Sequence, residues 1–353
     1  MKESVQKSGL KATLQKYLKR YFIDAMGAMA NGLFASLLMG TIIKTLGQQL
    51  GNLIPGAGVQ VVADALVQIG GFASSVSGSA MAMAIGYALK AHPLVLFSLA
   101  AVGYATNALG GAGGPLAVLV VGIVASEIGM LVSKKTKVDV IVTPFVTIVV
   151  GCALALLIAK PIGDAAAALG GVIRWATLQQ PLIMGIVISV VMGMILPLPL
   201  SSAAICASLG LVGLAGGAAV AGCCAQMVGF AVVSFRENKW GGIVSQGLGT
   251  SMLQMGNICK KPQIWIAPTL ASACCGPLAT LLFKLECVGV SAGMGTCGLV
   301  GPIGIISATE HSATMWIGIV VTCIVAPAIL SLIFNEILRA VGLVKTGDMQ
   351  LSL

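Results

Sequence analysis

Charge is scarce in this sequence: Asp, Glu, Lys and Arg make up 9% of its 353 residues. Soluble domains carry roughly 25%. So few charges cannot cover a soluble surface of this size, and a mean hydropathy of +1.02 excludes that solvent independently. Aromatic residues are also few, at 5%, and there are two histidines. The ten cysteines form no CxxC pair with a histidine partner, so no metal site is expected. Inside apolar runs they read as small, reduced hydrophobes. No Walker A motif and no dinucleotide-binding fingerprint is present, which excludes ATP hydrolysis by this chain. No catalytic residue and no cofactor is expected. The start is long, polar and basic rather than a cleavable signal peptide.

Long apolar runs are what the sequence has instead, including residues 140–159, 180–235 and 287–309. About 20 apolar residues cross the hydrocarbon core of a bilayer. Backbone in lipid closes its hydrogen bonds only in helices or barrels. These runs lack the apolar–polar alternation of barrel strands, so the expected fold is all-α. It is a polytopic membrane protein with about nine to ten transmembrane helices, re-entrant hairpins and amphipathic interfacial helices.

The net charge of +9 does not point to nucleic acid. Basic residues concentrate before residue 21 and at Lys134, Lys135 and Lys137. Four crossings separate those clusters, which places both on the cytoplasmic side and the protein in the cell membrane. Residues 9–24 read as an amphipathic helix for an anionic surface. The spans follow near residues 25–46, 61–90, 94–108, 116–132 and 140–159. Gly70, Gly71 and the SSVSGS stretch are expected to bend the second. Residues 160–179 hold Asp164, Arg174 and Trp175 and read as an interfacial helix. They divide the chain into an N-terminal element (1–24), a first half (25–179) and a second half (180–353). Pro197 and Pro199 break the long run in that second half.

Two segments of the second half resemble each other: GLGTSMLQMG from Gly247 and GMGTCGLVG from Gly293. Glycine inside a helix costs roughly 1 kcal/mol relative to alanine. Paired, glycine-interrupted apolar segments point to the binding site of a transporter. Close helix packing is the plainer reading of the same glycines. Candidate substrate contacts are therefore Gly249, Thr250 and Ser251 in the first segment and Gly295 and Thr296 in the second. Gln254 and Asn257 flank the first segment, and their amides suit a hydroxylated ligand or helix–helix hydrogen bonds. Thr309, Glu310 and His311 close the second. An intramembrane carboxylate costs roughly 2.5–3.5 kcal/mol, so Glu310 reads as functional or as a residue at a helix end. Asp64 and Glu127 read as bundle contacts, and His92 as interfacial.

The order of these features resembles the membrane (IIC) component of the sugar phosphotransferase system, closest to its fructose-like and stand-alone, regulator-type members. The likeness rests on the span–loop–span AIGYALKAHPLVLFSLAAVGYATNALGGAGGPLAVLVVGIVASEIGMLVSKKTK, on TPFVTIVVG followed by KPIGDAAAALGG, and on ATEHSA. ATEHSA is similar to the family's Gly-Ile-Thr-Glu motif, whose Glu contacts sugar. Ser307 or Ala308 stands where that motif has glycine, and His311-Ser312 follows the Glu. The fructose-type Gly-Gly-Pro-Val-Asn stretch corresponds to LPLPLSS. The resemblance implies a homodimer, a scaffold first half, a moving second half, Glu310 on the substrate, and a separate IIB protein as the source of any phosphoryl group. The expected function is a permease for a small polar solute, most simply a sugar, working by alternating access. A membrane sensor with the same fold, and a proton-coupled organic anion carrier using Glu310 and His311, stand as alternatives.

Overall fold

The structure is a computed structural model that describes Tyr17 and residues 19–54, 56–168 and 170–351. Most of the expected amphipathic helix at residues 9–24 lies outside the described residues. Helix takes up 84% of the chain, and there is no strand among the described residues.

A π-helical turn, α1 (Lys19–Asp24), leads into α2 (Ala25–Leu33). A second π-turn joins α2 to α3 (Met39–Leu53). Helix α4 (Ala57–Ser75) folds back along α3, because Gly40 meets Gly70 and Ser74 while Gly47 meets Ala63. A bend of 46° separates α4 from α5 (Ser77–Ala88), and it falls at Val76, inside SSVSGS. Helices α6 (Pro93–Gly110) and α7 (Gly114–Val132) form a hairpin whose turn is Gly111, at φ +49°. A basic turn then leads to α8 (Asp139–Ala168), which α9 (Gly170–Thr177) follows. Residues 160–168, expected as part of a separate interfacial helix, instead continue α8, and residues 170–177 form α9. Pro161 does not stop α8, because a proline costs only one backbone bond and neighbouring helices tolerate the kink.

In the second half, α10 (Pro181–Ile195) ends at the proline turn, and α11 (Ser202–Ser208) turns back. Helix α12 (Gly213–Val233) runs through the centre. Helices α13 (Phe235–Val244) and α14 (Met255–Lys260) bracket the first Gly-Thr segment. Helix α15 (Ile266–Pro277) returns along α12, α16 (Val300–Ala308) follows the second Gly-Thr segment, and α17 (Ala313–Val320) and α18 (Ala326–Ala340) complete the bundle.

Six helical stretches are long and apolar enough to cross a membrane, and the bent pair α4–α5 makes a seventh. The expected nine to ten spans are approached by counting both arms of the α6–α7 hairpin and the shorter α10. Burial separates the roles of these helices. Helix α12 is almost wholly enclosed, whereas α8 exposes Leu156 (70%) and Leu157 (72%). Water would penalise such apolar exposure, and lipid does not.

Small residues let α12 sit at the centre. A Cβ on Gly222 would fall inside the Ser189 carbonyl of α10, and one on Gly217 inside the Leu285 carbonyl. Ser272 of α15 donates to the Gly222 oxygen (3.2 Å), and Ser189 donates to the Ser272 oxygen (2.7 Å). Close backbone approach and interhelical hydrogen bonds hold helices together where lipid supplies no hydrophobic drive.

Two large apolar cores result, with a small third cluster of Leu38, Met227 and Cys297 at the hairpin tips. One is built on α10, α12 and α15; the other on α2, α5, α6 and α7. Basic residues gather at one end of the molecule. There Arg20 donates to the Leu89 carbonyl (3.3 Å) and pairs with Glu127 (2.7 Å), while Gly256 of α14 packs on Ile23. Helix α14, which carries Lys260, packs on α1 at this end, and the turn with Lys134, Lys135 and Lys137 follows α7, which carries Glu127. Glu127, expected as a bundle contact, makes one.

Candidate functional site

The chain's two Gly-Thr segments lie in hairpins that enter the bundle from opposite ends. The second hairpin, residues 285–309, has both feet at the end away from the basic residues. Its stem is closed by Thr309, whose hydroxyl accepts from the Glu286 N–H (2.9 Å) and donates to the Glu286 carbonyl (3.1 Å). Backbone bonds from Cys287 to Gly213 (3.2 Å) and from Gly289 to Leu211 (2.9 Å) pin it to the start of α12. Its tip turns sharply, with positive φ at Gly295, Gly298 and Leu299. Gly295 rests on the backbone of Cys223 and Cys224, halfway along α12. A Cβ there would need both a left-handed conformation and space that α12 occupies.

The first hairpin, residues 235–261, has both feet at the basic end. Its Gly247 packs on Ala231 in the last turns of α12. The tips meet where the Thr296 hydroxyl donates to the Gly247 carbonyl. Both tips also touch the first half of the chain: Gly249 packs against the Phe34 ring, and Gly298 against Ile42 of α3. Thr250 accepts from the Met252 N–H (3.1 Å), and the buried Ser251 hydroxyl has no partner among the described residues.

Gln254 and Asn257 turn to the opposite side. Gln254 donates to the Gln246 side chain (2.9 Å) and to the Met349 carbonyl (2.9 Å). Asn257 donates to Gln254 (2.8 Å) and to the Gln350 carbonyl (2.9 Å). Asn238 takes the same tail through Met349 and Leu351 (both 2.8 Å), and Lys261 pairs with Asp348 (2.7 Å). These amides fasten residues 348–351 beneath the first hairpin. Burial raises the Asp348 carboxyl, but Lys261 and the Lys345 N–H outweigh it and hold it below the usual carboxylate range.

Glu310 and His311 lie exposed beyond the stem of the second hairpin. A ring nitrogen of His311 sits 3.0 Å from the Ile306 carbonyl, and Glu310 has no ion pair among the described residues. The ten candidate residues therefore fall into three places. Gly249, Thr250, Ser251, Gly295 and Thr296 meet at the tips; Thr309, Glu310 and His311 sit at the stem; Gln254 and Asn257 hold the tail.

Two clefts lie between the halves. One of about 510 Å³ opens between the α3–α4 pair and the second hairpin. Thr45, Gln48, Gln49, Gln60 and Asp64 line it from the first half, with Ser291, Gly304 and Ser307 opposite. Gln60 donates to Asp64 (3.1 Å). A smaller one, about 70 Å³, lies at the tips between Leu38, Ser201, Ser202, Thr250, Met294 and Cys297. The larger volume falls in the usual range for small-molecule sites, about 300–1,000 Å³. Its uncharged amides and hydroxyls suit a polar, hydroxylated ligand. Sequence reasoning passed over Gln48, Gln49 and Gln60, whose only signal was three amides close to one apolar span.

From residue 23 to residue 351 the sequence matches the family described as phosphotransferase system, EIIC. The chain belongs to this family. No curated protein matches it significantly. The EIIC family is one of multi-pass, sugar-transporting membrane permeases, which agrees with the apolar helices and implies a sugar substrate.

Proposed function

We propose that this EIIC protein carries a sugar across the cell membrane by alternating access between its halves. The observation that carries the reading is the meeting of the two Gly-Thr hairpins at Thr296 and Gly247, wedged against Phe34 and Ile42 of the first half. Residues 25–179 act as scaffold and residues 180–353 as the moving part. The 510 Å³ cleft admits the sugar, with Gln48, Gln60, Ser291 and Ser307 bonding its hydroxyls. The hairpin tips block further passage until the halves shift. Glu310 and His311, beyond the stem, meet the incoming solute before it reaches Ser307.

The gathering of Lys134, Lys135, Lys137, Lys260 and Lys261 supports a cytoplasmic basic end, and with it a cytoplasmic N-terminus. A separate IIB protein would approach that end, and the exposed apolar helices leave room for a second copy to complete a homodimer. The cleft's charged group is the carboxylate of Asp64, which disfavours an organic anion.

The test is uptake by proteoliposomes over a panel of neutral sugars, sugar acids and sugar phosphates. Saturable uptake of a neutral sugar, weakened by Gln60→Leu and by Glu310→Ala, is the expected result. Saturable binding with no uptake would instead favour the sensor reading, for which the tail fastened beneath the first hairpin offers an output.

A further inference from the structure

A third cavity, of about 450 Å³, lies where α9, the start of α10 and the turn between α11 and α12 converge, away from the basic end. The proposed sugar path does not use it. Its wall is mainly apolar: Met184, Leu209, Leu211 and Leu214 contribute, with Val212 on the rim. Arg174 of α9 also lines it and has no acidic partner among the described residues.

The surroundings of Arg174 place it at a membrane surface. Helix α9 buries Ile173 and Ala176 against the second-half core. Its outward positions are Trp175 (54% exposed) and Leu178 (82% exposed). Leu178 so exposed is at home in lipid, and Trp is enriched at the level of the headgroups. Helix α8 alone, at 30 residues, is about 45 Å long at 1.5 Å per residue, and α9 follows it. That length exceeds the ~30 Å hydrocarbon core, so its last turns reach the polar layer even when tilted. The cavity therefore combines a cation at headgroup depth with an apolar wall beneath it.

We infer that this cavity binds an anionic phospholipid, with the Arg174 guanidinium on its phosphate and the upper acyl chain against Leu209, Leu211 and Leu214. A planar guanidinium offers paired N–H donors to phosphate oxygens. A soluble phosphate would leave the apolar wall unused, and an apolar chain alone would leave the guanidinium unpaired.

Native mass spectrometry on the delipidated, detergent-solubilised full chain tests this, with titration of dioleoylphosphatidylglycerol, dioleoylphosphatidylcholine and glycerol phosphate. Wild type is expected to hold one phosphatidylglycerol in clear preference to phosphatidylcholine, and no glycerol phosphate. Arg174→Gln should erase the preference, Arg174→Lys should keep part of it, and Val212→Trp should weaken both lipids by crowding the rim. Unchanged preference in Arg174→Gln would overturn the inference, as would glycerol phosphate binding as well as the lipid. Val212→Trp altering the oligomeric state without altering lipid binding would assign the surface to a second copy instead. Should Arg174→Gln fail to fold, Arg174→Lys and Val212→Trp still decide the matter.

Discussion

The Thr296 side chain donates its hydroxyl proton to the Gly247 carbonyl, joining hairpins that enter the bundle from opposite ends. The same hydroxyl lies 3.6 Å from the Met227 sulfur, so it is held against α12 on a second side. Both hairpins are short and irregular, and irregular backbone in a membrane protein persists only where protein or water satisfies it. This contact therefore satisfies backbone where the two tips meet, beside their contacts with Phe34 and Ile42 of the first half.

Thr296→Val keeps the shape and deletes the donor. The loss leaves the Gly247 carbonyl unpaired, which costs about 1–3 kcal/mol. Little of that should appear in global stability, because α12 and α15 hold the second half independently. Transport should change more: a shift of one to two kcal/mol moves a two-state gate by roughly 5- to 30-fold. Uptake in proteoliposomes beside a thermal melt checks both expectations.

Gly222→Leu should fail as a packing substitution. A side chain there meets the Ser189 backbone at the centre of the second-half core. Overpacking costs typically 1–3 kcal/mol, and here the obstacle is backbone that cannot move aside like a rotamer. A lowered melting temperature in detergent is expected. Gly241→Ala, where nothing stands within 4 Å of an added Cβ, serves as the control.

The tail clamp should respond to acid. The Asp348 carboxyl lies below the ordinary range, so its contribution is complete above about pH 3.9 and fades as pH falls through the lower folded value. Hydrogen exchange of residues 345–351 should rise at neutral pH in Asp348→Ala. Wild type should approach the variant only in strong acid. Equal exchange at pH 7 would show that the Lys261 pair does not hold the tail.

Cysteine labelling distinguishes water from lipid. Cys259 and Cys274 are exposed, and the rest are buried or half-buried. Cys274 lies within the span Pro262–Leu282, where lipid shields it from an aqueous maleimide. Cys259 should react first. Burial raises its thiol, so its rate should keep climbing beyond the ordinary thiol value of about 8.5.

Much of the architecture could be read from the chain because lipid is a simple solvent. Apolar runs give the spans, Gly111 gives the α6–α7 turn, and SSVSGS gives the bend at Val76. Residues 160–179 were harder. Their polar residues suggest a surface helix, yet residues 160–168 continue α8 past Pro161, and 170–177 form a helix of their own, α9. At the candidate site, spacing flagged the two Gly-Thr segments but not their contact, because Thr296 and Gly247 are 49 residues apart. Gln254 and Asn257 stood out as amides in an apolar setting. Their partners, more than 90 positions later, leave no local pattern. Gln48, Gln49 and Gln60 gave little signal, since amides beside a turn are commonplace.

The central claim is passage of a sugar between the halves, gated by the hairpin tips. Its most direct test pairs Ile42→Cys of the first half with Gly298→Cys at the second hairpin's tip, in a background where only this cysteine pair can cross-link, and follows uptake of the transported neutral sugar into proteoliposomes. The account predicts that oxidation stops uptake and reduction restores it. Undiminished uptake by the fully cross-linked protein would contradict it.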